Sequence, residues 1–204
     1  MGNINKNSFT LIEIILVIAI IAVISSQIDF KYQRHTLKDA ADILKLHLNY
    51  TRYIAHIDNK EDITDNEWKR KLWTLKFQRC SSSVGGLYYV IYTDKSGGTA
   101  HFKKEESLKE PLTNRYLYSN SDCKVSKDES DDVLITQKYG VSKVEVSCNN
   151  SSSIGQISFG FKGGIYNKLG AEPVEITKKC FIKLYDRQDN NETITVEPYT
   201  GFVY

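Results

Sequence analysis

Glu13 is the one charged residue in the twenty-residue stretch from Phe9 to Ile28, and it heads the apolar run Ile14–Ile24. A carboxylate in oil costs about 2.5 kcal/mol or more near the centre of a bilayer and less toward its edge. Such a charge needs a partner. A cut between Ser8 and Phe9 would free an amine four residues before Glu13, one helical turn away. A carboxylate and an amine placed this way set the stagger of neighbouring copies, because a misregistered copy leaves both charges unpaired.

Other reactive residue types give less. His35, His47, His56 and His101 stand at no ligand or catalytic spacing, and three of them fall on a predicted helix, solvated or packed against the sheet. No Gly-x-Ser-x-Gly, phosphate-loop or zinc-protease motif is present. The acidic run Asp128–Asp132 lacks the twelve-residue loop with its central glycine that calcium coordination uses, so it reads as a solvated loop. The expectation is a non-enzymatic chain with no cofactor and no metal.

Cys80, Cys123, Cys148 and Cys180 all follow the apolar stretch. An even count in an exported domain predicts two disulfides. Three pairings are open; Cys123–Cys148 with Cys80–Cys180 is favoured, because the first would clip a polar excursion. No two cysteines sit at short ligand spacing and none adjoins a histidine, which argues against zinc.

These residues need elements to hold them. Twenty residues at about 1.5 Å each match the roughly 30 Å of a bilayer core, predicting a transmembrane helix over 9–28. Beyond it, Leu37, Ala41, Leu44, Leu48 and Ala55 form one helical stripe, widened by Ile43, Leu46, Tyr50, Ile54 and Ile57. Gly2 is the sole Gly or Pro before Ser83. The pattern therefore predicts one rod from Phe9 to about Ile57, roughly 74 Å long.

After a polar linker at Asp58–Glu67, alternating apolar residues predict strands at Leu72–Gln78, Leu87–Asp94, Thr99–Lys103, Val133–Gln137 and Val141–Cys148. Further strands are expected at Ile157–Phe161, around Ile165, at Cys180–Leu184 and at Thr193–Glu197. The segment Glu105–Asp132 reads mostly as loop, with Tyr116–Tyr118 a short strand. Thirteen Tyr and three Pro suit a β-rich domain. The fold expected is α+β: a long N-terminal helix, transmembrane and then amphipathic, packed on an antiparallel sheet. Its parts are a leader at 1–8, an assembly helix at 9–28, its continuation at 29–57 and a globular domain at 58–204. With 27 basic against 25 acidic residues, the balance argues against a dedicated nucleic-acid binder.

Phe9-Thr-Leu-Ile-Glu13 with its apolar run resembles the class III signal of type IV pilins and type II secretion pseudopilins. Ser8 stands where the family normally has Gly. The resemblance implies that prepilin peptidase cuts between Ser8 and Phe9 and methylates the new terminus, with Glu13 as the assembly charge. Two segments of the globular part, Ile157-Ser-Phe-Gly-Phe-Lys-Gly163 and Ile194-Thr-Val196 followed by Thr200-Gly201, look like the strand-turn and closing strand of H-type minor pseudopilins and FimT-like minor pilins. The resemblance implies a minor, pilin-like subunit of a type II secretion pseudopilus or type IV pilus, supporting protein secretion. It would sit as a single pass in the inner membrane with its globular domain in the periplasm. Its partners would be sister subunits, prepilin peptidase, the inner-membrane assembly platform and membrane lipid.

Two other functions compete: a DNA-receptor pilin for natural transformation (competence), touching nucleic acid through Lys178, Lys179 and Arg187, and a membrane-tethered domain that never polymerises. At the N-terminus, an ordinary secretory signal ending near Ala22–Ser26 and an uncleaved anchor are the alternatives. Lys6 before the apolar stretch and Lys31, Arg34 and Lys38 after it leave charge bias undecided.

Overall fold

A computed structural model describes residues 10–27, 36–95, 103–148, 154–169 and 172–204. The chain divides into two units, Met1–Arg34 and His35–Tyr204.

In the first unit, helix α1 runs from Leu11 to Gln27. Its start is chemically marked: Thr10 precedes it, and Thr10 with Glu13 forms the Ser/Thr-x-x-Glu pattern of a capping box. Seventeen residues at about 1.5 Å per residue give about 26 Å, short of the roughly 30 Å hydrocarbon core. Among the described residues no helix is long and apolar enough to cross a membrane. This corrects two expectations. The long apolar N-terminal helix continuing to Ile57 is not found, and a single-pass inner-membrane placement loses its support.

In the second unit, helix α2 runs from Thr36 to Ile57. Ala40, Ala41, Leu44, His47, Leu48, Thr51 and Ala55 are its buried side chains, much the stripe that the helical period predicts. Leu46 and Ile57, assigned to the wider stripe, are exposed instead. The buried face packs on two antiparallel sheets. The larger takes β1 (Trp73–Arg79), β2 (Leu87–Tyr92), β4 (Gln156–Phe159), β5 (Ile165–Leu169) and β6 (Glu172–Glu175) in the order β2-β1-β4-β5-β6. The smaller orders β3 (Lys143–Val146), β7 (Cys180–Tyr185) and β8 (Asn191–Val196) as β3-β7-β8.

All six residues of β2 are buried, although it ends the sheet order. The loop that follows covers its edge, with the Ile91 N–H donating to the Leu117 carbonyl and the Leu108 N–H to that of Ile91. Within that loop Tyr116 forms isolated bridges rather than a strand. The segment expected as a strand at Val133–Gln137 is instead helical. Helix α3 spans Ile135–Tyr139, placing Ile135 and Tyr139 inward one turn apart, and Gly140 at φ +73° closes it as a left-handed cap. Strand β6 escaped notice because it holds Pro173; as an edge strand it tolerates that missing donor. The expected strand at Thr99–Lys103 lies almost wholly outside the described residues.

Both disulfides form, in a pairing other than the favoured one. Cys80, just past β1, joins Cys123 with Cα atoms 5.6 Å apart. The neighbouring Ser81 N–H donates to the Ser121 carbonyl at 2.6 Å, so the loop already lies against the strand end. Cys148 joins Cys180 at a Cα separation of 5.1 Å. The β3–β7 register sets Val146 against Ile182, and continuing it sets Cys148 against Cys180. The second bridge is thus a staple between adjacent strands.

Candidate functional site

At the start of α1, the backbone N–H and the Oγ1 of Thr10 donate to Oε2 of Glu13 at 2.8 and 3.0 Å. The Glu13 carboxylate thus caps the start of α1, and the amine expected as its partner would stand at Phe9. Every side chain from Thr10 to Val23 is exposed, from Val17 at 49 % to Leu11 at 77 % among the large apolar ones. Ser8 and Phe9 lie outside the described residues.

A second feature belongs wholly to the globular unit. Arg52, Tyr53 and His56 come from the last turns of α2, Lys162 and Gly163 from the turn between β4 and β5, and Tyr199 and Thr200 from the chain after β8. Together they line a cleft of about 240 Å3 that no carboxylate lines. Close backbone contact builds it. Gly163 has φ +90°, and a Cβ there would lie 3.0 Å from the Thr200 carbonyl oxygen; one on Gly201, at φ +61°, would lie 2.9 Å from the Gly163 oxygen. Two segments far apart in sequence are locked by glycines on both sides.

The cleft's polar groups are partly committed. Arg52 Nε donates to the Thr200 carbonyl at 2.6 Å. His56 Nδ1 donates to the Phe161 carbonyl at 2.7 Å and its ring stacks on that of Phe161. Lys162, with 77 % of its side chain exposed, pairs with Glu61 at 3.3 Å.

His47 occupies a different environment. It is buried, with Nδ1 2.6 Å from the Tyr89 hydroxyl and Nε2 3.5 Å from Glu110 Oε1. Burial holds its imidazole below the ordinary histidine range, against the opposing pull of Glu110. Nearby, burial alone would raise the Asp132 carboxyl, yet hydrogen bonds from Lys138 and Tyr139 keep it below its usual value. The His47 bonds tie α2 to β2 and to the loop at Glu110, and those of Asp132 hold α3. His35 and His101 lie outside the described residues.

Among the described residues no group of His, Cys, Asp and Glu could hold a metal ion. In the acidic loop Lys104 pairs with Asp128 and Glu129, and Lys138 with Asp131 and Asp132, so lysines take the place a cation would fill.

Lys178, Lys179 and Arg187 do not form a patch. Lys178 and Arg187 flank opposite ends of β7, about 20 Å of strand apart. Lys179 is tied at 2.7 Å to Glu197 and at 3.1 Å to the Tyr204 hydroxyl. Those bonds push its ammonium up to about 12. The cationic cleft escaped sequence reasoning because its residues meet only through the register; the glycines of 160–164 and Gly201 were its one visible sign.

Comparison with protein-family models, curated proteins and solved structures finds no match.

Proposed function

We propose that this chain is a non-enzymatic, pilin-like filament subunit, a minor member of a type II secretion pseudopilus or a related pilus. It assembles through α1 after prepilin peptidase has cut between Ser8 and Phe9 and methylated the new terminus. One observation carries this: a helix whose described side chains are apolar and exposed on all sides, headed by a capped glutamate. A helix apolar all round is stable only where every face is covered, and contiguous apolar surface of this extent marks an interaction site. Copies of the same helix supply that cover, each buried Ile or Leu contributing about 1.5–3 kcal/mol. The two disulfides suit an oxidising compartment, where such filaments are built.

A DNA-receptor role finds less support, since Lys178 and Arg187 stand apart and Lys179 is committed to Glu197.

The test uses Glu13→Ala in the native host. The wild-type chain is expected in the sheared filament fraction, and the variant is expected to be processed normally but absent from it. A wild-type chain never found with filaments, or a variant that assembles equally well, contradicts the proposal.

A further inference from the structure

The cleft between α2, the β4–β5 turn and the C-terminal segment has no role in the filament contacts proposed above. Its walls carry two exposed aromatic rings, Tyr53 at 59 % and Tyr199 at 63 %. Between them stand three nitrogen-bearing side chains and no carboxylate.

Their existing bonds leave defined capacity. Arg52 spends Nε on the Thr200 carbonyl. The donors on its two terminal nitrogens remain, in a planar fork suited to a carboxylate or phosphate. His56 spends Nδ1 on the Phe161 carbonyl, which fixes its proton there and leaves Nε2. Lys162, its side chain 77 % exposed, pairs with Glu61 at 3.3 Å, and a pair with so exposed a cation is worth little enough to be exchanged for a bound anion.

We infer that this cleft binds an oxyanion, phosphate or carboxylate, carried on a ring. The Arg52 fork and Lys162 hold the oxygens, and the ring packs against Tyr53 and Tyr199. The volume of about 240 Å3 is enough for one ring with its anionic group. All of these residues belong to the His35–Tyr204 unit, so the inference stands or falls independently of filament assembly.

The test is calorimetric titration of the full chain, held in detergent, with phenyl phosphate and separately with benzoate. Saturable binding of at least one is expected, weakening as salt rises. Lys162→Gln and Tyr199→Ala are each expected to weaken it about tenfold, the scale of one lost charge-assisted contact or ring contact. Both side chains are exposed, so the thermal midpoint should stay unchanged. The ligand that binds tighter assigns the anion as phosphate or carboxylate. Absence of saturable binding with both ligands, or binding that neither substitution weakens, overturns the inference.

Discussion

Glu13 and His47 illustrate opposite ways of keeping an ionisable side chain. Glu13 is exposed and held by the turn it begins, with Thr10 donating twice to one carboxylate oxygen. The Thr10-x-x-Glu13 spacing is that of a capping box and is legible in the sequence. His47 is buried and kept neutral by its surroundings. Because its folded pKa lies below the unfolded one, the unfolded chain takes up the proton first as pH falls. The histidine's contribution to stability is therefore complete above about 6.5 and is lost as pH drops below that value toward the folded pKa. Asp132, held low, loses its contribution only in the more acidic carboxylate range. Denaturant midpoints at pH 7 and 5.5 should thus differ for the wild-type chain. His47→Gln should flatten that difference while lowering stability at pH 7, since Tyr89 and Glu110 lose a partner. An equal pH dependence in the variant would show that another group is responsible.

Elements were legible where one face is buried and the other wet. Strands β1, β3, β7 and β8 were found by alternation, with Leu75 and Phe77, Val144 and Val146, and Ile182 and Leu184 all inward. Failures came where a local preference was overridden. The β-branched run at 133–137 coils because Gly140 offers a left-handed cap and Tyr139 a bond to Asp132. The helix end near Ile57 was legible, because the amphipathic stripe runs out there, but one long apolar helix from Phe9 was not found: the first helix covers Leu11–Gln27 alone. Disulfide pairing was illegible for another reason: it depends on which strands are neighbours. Cys148–Cys180 staples β3 to β7, so the paired change Cys148→Ser with Cys180→Ser should cost about 2–4 kcal/mol in urea unfolding. Amide exchange should rise first in β3, which among the described residues lies at the edge of its sheet beside β7. An unchanged midpoint would contradict the staple's role.

Across the whole chain, chemistry is divided between its two units. The unit ending at Arg34 contributes an apolar helix with a polar start, which suits assembly. The unit from His35 onward contributes a doubly cross-linked α+β body whose conspicuous surface feature is a cleft of cations and tyrosines. The buried His47 is enclosed by protein. The filament proposal depends most directly on how the mature chain begins, and intact-mass measurement of the protein recovered from its native host reads that in one spectrum. The predicted mass is that of a chain starting at Phe9, heavier by one CH2 (a methyl in place of an amine hydrogen) and lighter by the hydrogens lost to two disulfides. A mature chain starting at any other residue would contradict it.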